Sequence, residues 1–418
     1  MRIGIFLLFI ALSLSADGVV SWRVFTDDAA PQTGRERSRL LRGSETDALR
    51  YLNEMRVGSG MIPFRANNLL DSAARNHSLY LITNNTFGHY EDSSSSGFTG
   101  VRPSDRGTYV GYDWCIYSEN IAGGDANITE SIDGLMSAIY HRFGFLNFMV
   151  DEIGISWEYD AGYFYKSVAT FNMASPNSNS CSNNLDANPE YVAWPHAGYT
   201  RAQTSFFNQE SPDPVPECNG VNGNPISIEF NGGKTGTITM HSFKIYDDNG
   251  SEIIDTKALD ASNDPNGHLG DRQFVLFPMR SLDIDSRYRV EFAYDEDGVD
   301  KNIVWHFNTR RYDHKRYEVK NNHTYNVISG ETYLFHLKPD DCNTTFYRYS
   351  WNSSSVQIER MTFDLFRITA SGDVTISFPD NNPEFTFSLH ISSDDDAIEP
   401  SSTDSPSSMI SIINYLLL

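Results

Sequence analysis

Between Phe87 and Ile155 four short strings follow one another: Phe87-Gly88-His89, Ser118-Glu119-Asn120-Ile121-Ala122, Tyr140-His141-Arg142 and Glu152-Ile153-Gly154-Ile155. Two histidines and a glutamate, each set in such a string, suggest a built site. The hydrophobic period around them is mixed. Ser44-x-x-Asp47 reads as a capping box that opens a helix carrying Leu49, Leu52 and Met55. Asn67 or Asn68 caps a second helix, with Leu69, Leu70, Ala73, Ala74, Tyr80 and Leu81 at helical spacing. Asn127-x-x-Glu130 opens a third, whose Ile132, Leu135, Met136 and Ile139 share one face, and which places His141 at its end. The period then falls to two. Ile153 to Tyr159 and Tyr163 to Phe171 predict a strand pair joined at Asp160-Ala161-Gly162.

Two neutral imidazoles and a carboxylate can share a divalent cation such as zinc, with water in the open position. They can also divide general acid and base work. Separations of 30 residues from His89 to Glu119 and 22 from Glu119 to His141 match no metal-binding pattern. Spacing alone therefore leaves both uses open, beside capping or plain packing in a core.

The strings resemble the CAP superfamily, that is, cysteine-rich secretory, antigen 5 and plant pathogenesis-related proteins with their bacterial relatives. Leu52-Asn53-x-x-Arg56 is similar to the family's first-helix signature, and Leu70-x-x-Ala73-Ala74-x-x-His77-Ser78 to its second. Phe87-Gly88-His89 carries the first cleft histidine. Pro103-Ser104-Asp105-Arg106 with Gly111-Tyr112 resembles the insertion of bacterial members, ahead of the string whose Glu119 matches a cleft glutamate. His141-Arg142, with Ile153-Gly154-Ile155 beyond it, matches the second cleft histidine and the following strand. The resemblance implies an α+β chain: a CAP-type α-β-α sandwich whose surface cleft holds His89, Glu119 and His141. It implies His89 and His141 as candidate metal ligands and Glu119 as a candidate catalytic base. Animal members carry a second cleft glutamate; Ala138, with Ser137 beside it, stands where it would fall. Glu130 reads instead as a helix-capping residue, Glu152 as a solvated charge at a strand edge, His77 as a core histidine, and Asp105-Arg106 as a structural ion pair or turn. Trp194-Pro195-x-x-Gly198 and Trp305-x-Phe307-x-Thr309 resemble the tail region of bacterial multidomain members.

Working outward, 418 residues predict two or three domains, and 26 Phe and 22 Tyr mark them as globular. A net charge of −23 argues against nucleic acid and anionic membrane surfaces as partners of the whole chain. Residues 1–20 read as a secretory signal peptide, with Arg2 ahead of the apolar run Ile3 to Leu14. Residues 21–43 read as a flexible basic lead-in, in which Arg39-Leu40-Leu41-Arg42 is either linker or processing site. Next come the CAP domain (44–175), a linker rich in Asn, Ser and Pro (176–224), and two all-β, Ig-like sandwich modules (225–310 and 316–392). A Ser/Asp-rich tail (393–418) ends in ten mostly apolar residues, Met409 to Leu418, too few to span a bilayer. That end reads as frayed or truncated, with a membrane anchor as the less favoured alternative. Among the four cysteines Cys181 and Cys218 are the expected pair, with Cys115 and Cys342 as thiols. Asp260 to Gly267 and Asp295 to Gly298 read as turns in preference to calcium loops.

The expectation is a secreted or surface protein acting as an extracellular binding module, and it leans away from an enzyme. Its ligand is an extracellular protein, lipid or glycan, and its cleft holds a divalent metal or lipid. The alternatives are a metal-assisted hydrolase, with zinc on His89 and His141 and Glu119 as base, and a structural surface protein with a vestigial cleft.

Overall fold

A computed structural model describes residues 34–392 apart from 126, 179–180, 208–209, 340, 347 and 382–383. The expected signal peptide and Ser/Asp-rich tail lie outside the described residues. Two compact units emerge, one of residues 34–313 with 339–344, the other of 314–338 with 345–392.

The larger unit begins with helix α1 (Gly34–Gly58), which opens ten residues before the expected Ser44. Residues 34–43 are therefore helical and not a loose lead-in; Arg and Leu, both good helix formers, dominate them. Strand β1 (Arg65–Ala66), helices α2 (Asn68–Asn84) and α3 (Pro103–Tyr109) and strand β2 (Trp114–Gly123) follow. Then come α4 (Ile128–Ser137), α5 (Ile139–Phe145), β3 (Glu152–Tyr159) and β4 (Ser167–Pro176). Asn67 caps α2, its side-chain oxygen accepting from Leu69 N and Leu70 N. Asn127 caps α4 in the same way and donates to Glu130 at 2.8 Å.

The four strands make one sheet of order β1-β3-β4-β2, with β1 parallel to β3 and the other pairs antiparallel. Strand β4 is buried from Ser167 to Ser175 because both its faces are covered. Its even positions face α2: Thr170 meets Ser78 at 2.8 Å, and Val168 packs with Tyr80 and Leu81. Its odd positions, Ala169, Phe171 and Met173, pack with Leu52 and Met55 of α1 and Ile132 and Leu135 of α4. This is the α-β-α layering that the resemblance implied. The strand pair differs from expectation at its turn: Tyr163 to Lys166 stay outside β4, and Lys166 takes a positive φ of 64°.

Gly154 fixes the distance between α2 and β3. A Cβ there would lie 1.9 Å from the carbonyl carbon of Leu70 and 2.2 Å from Asp71 N, so only glycine lets the helix backbone settle on the strand. Asp71 accepts from Ile155 N at 2.9 Å at the same crossing. Glu152, expected to be solvated, instead binds Arg65, Asn67 and Tyr112 and joins three elements.

The stretch 176–224, expected as a linker, holds α6 (Cys181–Ala187), β5 (Tyr191–Trp194), β6 (Ser205–Phe207) and β7 (Val221–Gly223). Strand β5 joins a sandwich with β8 (Ile226–Phe230), β9 (Ile238–Tyr246), β10 (Thr256–Leu259), β11 (Gln273–Pro278), β12 (Arg287–Glu296) and β13 (Val299–Asn308). Its sheets run β10-β11-β8-β5 and β13-β12-β9. Phe230, Phe243, Phe274, Phe292 and Trp305 fill the space between them, and this core is continuous with that of the α-β-α part. Trp305 Nε1 donates to Pro195 O at 2.9 Å, so the two tryptophan-bearing tail motifs meet.

The smaller unit is a second sandwich. One sheet has order β14-β16-β19-β18, from β14 (Arg316–Glu318), β16 (Thr332–His336), β18 (Val356–Arg360) and β19 (Leu365–Ala370). The other has order β15-β21-β20-β17, from β15 (His323–Ile328), β17 (Ser350–Trp351), β20 (Val374–Phe378) and β21 (Phe385–Ser392). Its fully buried His336 lies 2.9 Å from Glu318 and 3.5 Å from Asp364. Burial opposes protonation there, but the two carboxylates outweigh it and push the imidazole up to about 9.

Two outcomes follow. Gly154→Ala should cost the larger unit on the order of 2–3 kcal/mol, read as a lower unfolding midpoint in denaturant; an unchanged midpoint would mean that α2 backs away freely. The His336 contribution is complete below its ordinary pKa near 6.5 and disappears as pH rises through about 9. The stability difference between wild type and His336→Gln should therefore shrink from about pH 6.5 upward and level off above about pH 9, which thermal unfolding across pH 6–10 would show.

Candidate functional site

Glu119 lies on β2 with no solvent exposure of its side chain. Arg106 of α3, fully buried, donates from Nη2 to both Glu119 oxygens at 2.7 Å and from Nη1 to His89 O at 2.9 Å. With the Asn172 amide turned so that its nitrogen faces Glu119, β4 adds a third contact to that carboxylate at 3.0 Å. His89 Nδ1 lies 3.0 Å from Glu119 Oε1, and His77 Nε2 lies 3.8 Å from the same oxygen. Burial alone would raise the Glu119 carboxyl, but His77, the His89 hydrogen bond and the Arg106 guanidinium together hold it below the usual carboxylate range.

A second buried carboxylate sits behind the first. Glu91 accepts from His77 Nδ1 at 2.9 Å, Thr99 N at 2.7 Å and Gly100 N at 3.3 Å, and lies 3.7 Å from Arg106 Nε. His77 Nε2 meets Gly88 O at 2.9 Å, which fixes the loop just before His89. His77 is thus a buried structural histidine. Arg106 pairs with Glu119 and not with its neighbour Asp105, which caps α3 by accepting from Arg102 N at 2.9 Å.

His141 arrives differently. The expected third helix is broken at Ala138, whose φ of −81° and ψ of 116° are extended, so His141 lies in the first turn of α5 and not at a helix end. The orphan amides of that turn are satisfied by Glu210, in the loop between β6 and β7. Its carboxylate accepts from Ile139 N and Tyr140 N at 2.8 Å each and from His141 N at 3.3 Å, and one oxygen lies 2.9 Å from His141 Nδ1. Sequence reasoning missed Glu210. The only local sign was Ala138 in place of a glutamate, and nothing in the spacing points 69 residues ahead. Asn120, beside Glu119, donates to His141 O at 2.8 Å and ties the two halves together.

The structure therefore brings His89, Glu119 and His141 together. The imidazole rings lie 6.5 Å apart, centre to centre, and 27° from parallel. His89 is 37 % exposed and His141 17 %, whereas both carboxylates are at 0 %. Because each Nδ1 faces a carboxylate, it must carry the proton, and the neutral ring then keeps its lone pair on Nε2. Neither Nε2 has a hydrogen-bond partner among the described residues. His89, Glu119 and His141 form no three-ligand cluster among the described residues; the close-set group of His241, Asp295 and Asp300 lies on β9, β12 and β13 of the first sandwich.

Residues 49–173 match the family model described as CAP, the cysteine-rich secretory protein family. Among solved structures the chain is similar to an extracellular SCP-domain protein from Bacillus anthracis, at 19% identity over 35% of this chain and 45% of that one, with a TM-score of 0.30. It is similar to an outer surface protein from Borrelia burgdorferi, at 14% identity over 32% and 95%, TM-score 0.29. A cysteine-rich secretory protein from Staphylococcus aureus aligns at 20% identity over 32% and 39%, TM-score 0.24. The chain thus spans less than half the length of the Bacillus and Staphylococcus proteins. No curated protein matches it.

Glu119→Gln should cost roughly 3–5 kcal/mol near neutral pH, because it removes the carboxylate that takes both short Arg106 hydrogen bonds and leaves that buried charge only Glu91, at 3.7 Å. The sign in pH follows from the lowered carboxyl: its contribution is present above the ordinary value near 4.5 and is lost as pH falls through the folded value. The gap between wild type and variant should be constant from pH 7 to 5 and close below about 4.5; a gap that widens in acid would contradict the assignment.

Proposed function

We propose that this chain, with its CAP domain at residues 49–173, is an extracellular binding module whose cleft takes a divalent cation through His89 and His141. The observation that carries the reading is the pair of carboxylate-held imidazoles. Metal-binding histidines characteristically donate their other ring nitrogen to a carboxylate, which fixes tautomer and orientation. Glu119 does this for His89 and Glu210 for His141. The donor set suits zinc or another imidazole-binding divalent metal, with water completing the coordination. Bound there, the cation would supply a Lewis-acidic anchor for an oxygen-bearing group of a protein, lipid or glycan ligand.

The hydrolase reading is less well supported. It asks Glu119 to take a proton from a metal-bound water, yet both Glu119 oxygens are held by Arg106 in a position closed to solvent. A carboxylate so bound orients a ligand and does not serve as a base. An extracellular setting is supported by the apolar leader and by Cys115, which is disulfide-bonded.

Zinc titration of the full chain tests the proposal, in a His241→Ala background that removes the group on the first sandwich. One ion should bind and be lost in His89→Ala/His141→Ala. Glu210→Gln should weaken it roughly 10–100-fold. Equal uptake by parent and double variant would sink the cleft-metal reading.

A further inference from the structure

Cys218 and Cys342 lie side by side at the base of the loop that carries Glu210. Cys218 is a buried thiol, so the expected Cys181–Cys218 pair is not formed. Its Sγ donates to Cys342 O at 2.8 Å. Residues 339–344 belong to the same compact unit as the loop, and short backbone contacts seat them against it. Gly220 N donates to Cys342 O at 2.8 Å, Val221 N to Thr344 O at 3.3 Å, and Asn219 N to Asn343 Oδ1 at 3.2 Å. The approach requires glycine at 220, where a Cβ would lie 2.3 Å from Thr344 O. Cys218 packs with Ala138, Ile139 and Phe143, and Cys342 joins the same cluster, which therefore also holds the start of the His141 helix.

We propose that Cys218 and Cys342 close into a disulfide in an oxidising compartment and so clamp the loop that presents Glu210 to His141. Cys342 is half-buried and is the thiol an oxidant reaches first. Its thiolate attacks a small-molecule disulfide such as oxidised glutathione, forming a mixed disulfide and releasing one thiol. The Cys218 sulfur then attacks the Cys342 sulfur, expels the second thiol and gives up its proton to that leaving group. The two cysteines lose two electrons and two protons, which the small disulfide gains as it becomes two thiols. Burial, followed by the neighbouring Cys342, pushes the Cys218 thiol far up, so it stays protonated until its partner is activated. Two of the chain's four cysteines thereby join Cys115 in the oxidised state.

The bond is read directly and does not depend on cation binding. The full chain is equilibrated in a glutathione redox buffer, denatured without reductant, alkylated with N-ethylmaleimide and mapped by peptide mass. A linked peptide pair joining Cys218 to Cys342 is expected. Recovery of both as separately alkylated peptides, or either linked to another cysteine, would overturn the pairing. In Cys342→Ser, Cys218 should become alkylated while Cys115 stays bonded, and the thermal midpoint should fall by several degrees. An unchanged midpoint would overturn the clamp.

Discussion

A carboxylate without solvent contact is costly to bury unless donors surround it, and Glu119 is such a carboxylate. Its donors come from α3 through Arg106, from the loop after α2 through His89 and from β4 through Asn172, with His77 of α2 close behind. The charge is tolerable only when these elements hold one register. The same group that fixes His89 therefore also specifies how α2, α3, β2 and β4 come together. Glu91 extends the constraint, since it restrains His77 and the Thr99–Gly100 backbone around the same arginine.

The second histidine is held by the same chemistry from another direction. Ala138 packs with Ile139, Phe206 and Val275, so a glutamate side chain at that position would begin in an apolar cluster. Glu210 avoids that cost. It enters over the start of α5, where the amides of the first turn already need acceptors and the helix dipole favours a negative charge. One carboxylate thus caps a helix and orients an imidazole.

Much of the α-β-α part was legible because its signals are local. The caps at Asn67 and Asn127, the alternation in β3, and the strings around His89, Glu119 and His141 need only neighbouring residues to be read. What escaped depends on distant partners. The apolar period of Ile132, Leu135, Met136 and Ile139 runs straight through Ala138, so the break there is visible only once Glu210 is in place. Strand β5 is four residues long and gains its identity from pairing with β8. Glu152 looks solvated on its strand, yet Arg65, Asn67 and Tyr112 converge on it from elsewhere.

The family match ends at residue 173, before Glu210. A boundary drawn there separates His141 from the carboxylate that orients it. The first sandwich supplies further supports for the same helix: Arg142 Nη1 donates to Ser227 Oγ at 3.0 Å, and Tyr140 donates its hydroxyl to Asp264 at 2.5 Å. His89 rests on contacts made inside the α-β-α part, whereas His141 rests on Asn120 there and also on residues from beyond it. This group of residues is therefore jointly built, by the α-β-α part and the first sandwich. A change that shifts that sandwich acts on His141 through Glu210, and the Asn120 bond to His141 O links it to the strand that carries Glu119.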